Sequence, residues 1–261
     1  MQTYYIIIRN ALRQRLMYRA SIWLQIISGI FIVLIQGSLW TTLLNSGYEG
    51  VQQKEMISFI VVNLLVGSIA NFMSTQMIGD RVQDGSIATY MNLPVSFKWM
   101  LFGEKMGENI FSLLFKGIPG LIVAVVFYQT ALPSSMQHMA LFLLSLFLGI
   151  LLSFHIQYIF NLSAFWIINP WYISFFSNGI MKLFGGQVVP LWFYPASLVA
   201  FGMYLPFRFC TFEPIQIYLG YSDIRGAWIC IGTQLVWIAI LTMLEKLIWH
   251  QASRRVFVQG G

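Results

Sequence analysis

Six stretches of this 261-residue chain are long and apolar enough to cross a bilayer, which leaves little sequence for a water-soluble domain. They fall at about 21–44, 56–79, 107–128, 137–160, 162–184 and 226–249. Each is near the roughly 20 residues that a helix needs to span the hydrocarbon core. With 58% hydrophobic and only 9% charged residues, the chain cannot present a polar surface to water. The runs are too long for transmembrane strands and show no period-two alternation, and open strands would leave backbone groups unpaired in lipid. The expected fold is an all-α membrane protein, a single domain over 1–261 with six transmembrane helices.

Orientation follows from Lys and Arg, which accumulate in short cytoplasmic segments. Arg9, Arg13, Arg15 and Arg19 precede the first run, Arg81, Lys98 and Lys105 lie between the second and third, and Lys246, Arg254 and Arg255 follow the last. With six spans these segments share one side, against Lys54, Arg208 and Arg225 on the other. Both termini are therefore expected in the cytoplasm. The net charge of +6 reflects this topology and anionic lipid rather than nucleic-acid binding.

Residues 1–20 lack the apolar run of a signal peptide, and their arginines follow the apolar piece instead of preceding it, so no cleaved signal is expected. On a helix Tyr5, Ile8, Leu12 and Leu16 form one stripe, with Arg9, Asn10 and Arg13 on another face. That pattern suits an interfacial helix, with Arg15 and Arg19 snorkelling beside the stripe.

Nothing in the sequence points to catalysis. Cys210 and Cys230 have no metal or redox spacing, and no disulfide is expected. His138, His155 and His250 are scattered, and His155 suits a hydrogen-bonded packing role. No glycine-rich phosphate loop occurs. Work that consumes ATP would need another chain to hold the nucleotide.

Two connections are unusual. Region 80–105 places Asp84-Gly85 before about two helical turns that Pro94 stops, which predicts one short helix outside the membrane. Region 185–225 is apolar and aromatic, yet Pro190, Pro195, Pro206 and Pro214 forbid a continuous helix. Short re-entrant helices forming an outer lid are expected there.

Inside the second run Asn63, Gly67, Asn71 and Thr75 recur every four residues and share a face. Spacing alone fits helix packing and cavity lining equally well. Ser174 and Asn178 make a weaker polar face in the fifth run. Lys116 stands well inside the third, where a charge costs on the order of 3 kcal/mol. It either faces a polar cavity, meeting an anionic headgroup, or bonds backbone carbonyls near Pro119; its chemistry alone leans to the second. Glu108 lies about two turns away on a similar face.

An interfacial leader, six spans, an acidic-Gly-x-aliphatic segment ending in Pro94-Val95, and a Gly-x-x-x-Pro-Leu-x-x-x-Pro segment from Gly186 to Pro195 followed by Leu205-Pro206-Phe207 resemble a type-2 ABC exporter permease. The match is to the bacterial branch without a fused ATPase and covers nearly the whole chain. The resemblance implies a coupling helix that docks on an ATP-binding subunit, carried here by Asp84, Gly85, Ile87, Tyr90, Met91, Pro94 and Val95. It selects the lining role for Asn63, Gly67, Asn71 and Thr75, and adds Lys116, Ser174 and Asn178 to the pathway. Gly186, Pro190, Phe193, Pro195 and Pro206 would form an outer gate. The chain departs from the branch at Ala88 and Leu93, where a second acidic residue and an arginine are frequent.

The resemblance further implies two ABC ATP-binding subunits as partners, holding ATP and magnesium, and a second permease, either the same chain or a diverged homologue. This chain is expected to be no enzyme and to hold no cofactor. Its 16% aromatic content suits an amphiphilic, lipid-like, peptide or drug-like cargo. A secondary transporter is disfavoured because no carboxylate lies deep in any run. A non-transporting scaffold or immunity factor is the other alternative.

Overall fold

The computed structural model describes residues 2–45, 53–72, 78–128, 133–167 and 170–256, and every regular element among them is helical. Helix α1 (Gln2–Met17) leads into α2 (Arg19–Asn45), and α3 (Gln53–Ile69) follows. Two short helices, α4 (Gly79–Gln83) and α5 (Ile87–Met91), precede α6 (Phe97–Ser112). That helix passes through a π turn (Leu113–Gly117) into α7 (Ile118–Phe127). Then come α8 (Met136–Leu162), α9 (Pro170–Phe184), α10 (Ala196–Met203), α11 (Phe212–Leu219) and α12 (Ile224–Val256).

Four helices are long and apolar enough to cross a membrane: Arg19–Asn45, Phe97–Phe127, Met136–Phe165 and Ile224–Arg255. They correspond to the first, third, fourth and sixth runs. Of the second and fifth runs, α3 is 17 residues long and α9 is 15. Ile69 ends α3 where the buried Asn109 amide donates to its carbonyl at 2.8 Å, and α9 is described from Pro170.

The third span begins ten residues before the expected Gly107, at Phe97. Gly103 and Gly107 read as a boundary in the sequence; in the fold they form a seat. A Cβ on Gly107 would stand 2.5 Å from the Ile8 carbonyl, and one on Gly103 would meet Ile7 at 3.2 Å, so α1 lies directly against the backbone of α6. The face of α1 turned to this seat carries Tyr4, Ile7, Ile8, Ala11 and Leu12. Tyr5 and Leu16, expected on that stripe, are exposed. Arg15 does not snorkel: it pairs with Glu108 at 2.7 Å, and Lys105 pairs with the same carboxylate.

Helix α3 is buried on almost every side from Met56 to Val62, which makes it a central element. Helix α8 is the most buried of the long helices and packs along α12 and α11. Where α6, α8 and α12 meet, Lys98 pairs with the buried Glu245, whose other oxygen lies 3.0 Å from Nδ1 of buried His155. A chain this apolar keeps such charges only when they satisfy one another. His155 is thus hydrogen-bonded as its sequence context predicts, and its partner carboxylate is held in an ion pair. Both cysteines are free and buried, and burial pushes the Cys210 thiol up to about 12.

Candidate functional site

The polar stripe of α3 opens on a cavity of about 280 Å³. Asn63 and Gly67 line it from α3, Asn71 from two residues past the end of that helix, and Lys116 from the π turn. Thr75, the fourth member of the stripe, lies outside the described residues. Ser174 and Asn178 of α9 are half-buried and do not line this cavity.

The π turn explains where Lys116 points. Pro119, in the first turn of α7, has no N–H for the carbonyl four residues back, and the backbone accommodates the missing bond by widening at Leu113–Gly117. The widened turn rests against α2, where a Cβ on Gly29 would stand 2.2 Å from the Lys116 carbonyl. Glu108, the nearest carboxylate in sequence, is engaged by Arg15 and Lys105.

Lys182 supplies a second cation to the same cavity. It sits in the last turn of α9, which closes with Gly185 N–H donating to the Met181 carbonyl at 2.9 Å and Gln187 N–H donating to the Lys182 carbonyl at 3.2 Å. Gly186 takes the left-handed conformation this closure needs, with φ +66. Asn63 then donates its amide to the Gln187 carbonyl at 2.8 Å, binding α3 to the turn. Gln36 and Gln187 also line the cavity, and neither they nor Lys182 stand in a spacing that marks a site in the sequence. Only the position of Lys182 inside an apolar run hinted at it.

The proline-rich segment covers this end of the cavity. Pro190 is buried, lines the cavity and starts the 3-10 turn Leu191–Phe193, which sets the Phe193 ring 4.7 Å from Trp40 of α2. Pro195 precedes α10, and buried Pro206 precedes the 3-10 turn Phe207–Cys210. Each proline therefore begins a short helical piece, where its missing N–H has no cost. Gly186 is also sterically confined, since a Cβ there would meet Phe212 at 3.0 Å.

The expected short helix after Gly85 is present as α5 but is shorter than two turns, and a second short helix, α4, precedes Gly85. Helices α4 and α5 are five residues each, separated by Gly85 at φ +74. Asp84 closes α4, and its carboxylate accepts the Ser86 N–H at 2.9 Å. Hydrogen bonds from Ser86 hold that carboxyl below its ordinary value. α5 ends at Met91, three residues before Pro94, because the N–H groups of Asn92 and Leu93 turn back to the Thr89 and Tyr90 carbonyls.

The residues of this segment separate into two faces. Asp84, Gly85, Ala88, Thr89 and Pro94 are exposed. Ile87 is buried in the main core, with Tyr90, Met91 and Val95 packed against it. Arg81 anchors the segment by pairing with Glu104 of α6 at 2.7 Å and covering the Tyr90 ring at 4.4 Å.

A helical bundle with four helices long and apolar enough to cross a membrane, and a half-open cavity with two lysines on its wall, defines an integral membrane protein. The family model for the ABC-2 family transporter protein matches residues 40–260, and the chain belongs to that family. Neither a curated protein nor a solved structure gives a match.

Proposed function

We propose that this chain is the permease subunit of an ATP-driven exporter. In this reading α3 and α9 complete six spans and border the route, both termini lie in the cytoplasm of a bacterium, and a second permease completes the pathway. ATP and magnesium are held by two separate ATP-binding subunits, and no chemistry occurs on this chain. The observation that carries the reading is the cavity itself: in a chain of a transporter family, the one strongly polar face of α3 opens on it together with Lys116.

The exposed ridge from Asp84 to Pro94 is the coupling surface, with Ile87, Tyr90, Met91 and Val95 fixing it to the bundle. Work done on that ridge by ATP-driven closure of the partners would pass into α6 through Arg81 and Glu104. The segment Gly186–Pro206 acts as the outer gate, since Pro190 closes the cavity wall and Phe193 rests on Trp40.

The test is the mass of the complex purified gently in lipid, with and without Asp84→Ala and Pro94→Ala together. Co-purification of a pair of ATP-binding subunits, weakened in the variant, supports the permease and its coupling surface. Recovery of the chain with no ATP-binding subunit, under conditions that preserve other membrane complexes, rejects the reading.

A further inference from the structure

The two lysines of the cavity come from elements far apart in the chain, the π turn and the end of α9, yet line one half-open cavity, Lys116 half-buried and Lys182 exposed. No carboxylate lines that volume among the described residues. Like charges on the wall of one cavity repel, and an anion entering between them relieves both.

The other lining groups favour the same occupant. Trp40 Nε1 donates to Gln36 Oε1 at 3.0 Å, which leaves the Gln36 NH₂ as the end of that amide still able to donate. Trp40, Met56, Phe59 and Ile60 supply an apolar wall beside these donors. The volume of about 280 Å³ is below the roughly 300–1,000 Å³ of sites that enclose a drug-sized ligand, so it suits a headgroup whose tail extends beyond it.

We infer that this cavity binds the anionic headgroup, phosphate or carboxylate, of an amphiphile, with Lys116 and Lys182 on either side of the charge. That this ligand is the cargo rests on the permease reading; that the site prefers an anion does not. A cationic or sugar headgroup gains nothing from two ammonium groups, whereas a phosphate gains charge-assisted hydrogen bonds from both.

The experiment is equilibrium binding to the purified full chain, with any subunits that accompany it, in phosphatidylcholine nanodiscs. Decyl phosphate, decyl maltoside, decyltrimethylammonium and inorganic phosphate are titrated, and binding to empty discs is subtracted. Decyl phosphate is expected to bind at least about tenfold more tightly than the other three, about 1.4 kcal/mol. Lys116→Gln and Lys182→Gln should each weaken it about tenfold, and the double variant should lose the headgroup preference. Lys246→Gln, exposed on α12, should change nothing. Because neither lysine is paired among the described residues, the glutamine variants should unfold at no lower temperature than the parent, a result that separates loss of binding from loss of fold.

Equal affinity for the three decyl headgroups, or a preference that survives the double variant, overturns the inference. Inorganic phosphate binding as tightly as decyl phosphate would make this a site for a free anion and overturn the amphiphile. Loss of anion preference while ATP-binding subunits still co-purify removes this inference alone. Anion preference in a chain that recruits no such subunit removes the permease reading alone.

Discussion

The side-chain amide of Asn63 donates to the main-chain carbonyl of Gln187 at 2.8 Å, joining the polar face of α3 to the turn that ends α9. Asn63→Leu leaves that part-buried carbonyl without its donor, at a cost of about 1 kcal/mol. The expected result is a lower unfolding temperature in detergent. A leucine variant as stable as the parent would show that the bond fixes nothing.

Overpacking the seat of α1 is the second prediction. Gly107→Val places a side chain where even a Cβ would stand 2.5 Å from the Ile8 carbonyl, so α1 must lift, at about 1–3 kcal/mol. Hydrogen exchange should quicken over residues 2–17 while α8 and α12 stay protected. Unchanged exchange in α1 would contradict the seat.

The ion cluster at Glu245 makes a third. Glu245→Ala strands the Lys98 ammonium, only 15% exposed, beside His155 and should cost about 3 kcal/mol. Replacing both partners, Lys98→Met with Glu245→Leu, should recover most of that loss, because no charge is then left alone. Denaturant midpoints of the single and double variants separate the outcomes; equal losses would mean that packing, not charge, dominates.

A fourth concerns Asp84. Its carboxyl titrates below the ordinary 3.8 because Ser86 hydrogen-bonds the ionised form. A group with a depressed folded pKa stabilises fully above its unfolded value and loses that contribution as pH falls through the folded one. The turn at Gly85 is therefore intact at neutral pH and loosens only below about pH 3.8. Carboxyl NMR of aspartate-labelled protein should place Asp84 below 3.8, and Ser86→Ala should raise it. No change in the serine variant would assign the shift elsewhere.

Part of the cavity was legible because a period of four along an apolar run marks a helix face, which holds for Asn63 and Gly67; Asn71 also lines the cavity but lies beyond the end of α3. Lys182 was not legible, since its approach to Lys116 depends on how α9 ends against α3, a tertiary fact carried by Gly186 and Asn63. The start of α6 was misplaced because Gly107 serves both as a breaker in sequence and as a contact in packing. Proline marked where short helical pieces begin at Pro190, Pro195 and Pro206, though not at Pro214, which lies inside α11. At Pro94 it misled, because Asn92 and Leu93 end α5 earlier by turning back on Thr89 and Tyr90.

One turn of α6 carries two unrelated attachments. Gly103 and Gly107 hold α1, and Glu104 between them holds Arg81, which covers Tyr90. The leading helix and the exposed ridge are therefore mechanically in series through a single rod. A tilt imposed at the ridge would therefore be carried along α6, as along a lever, to the helix seated on Gly103 and Gly107.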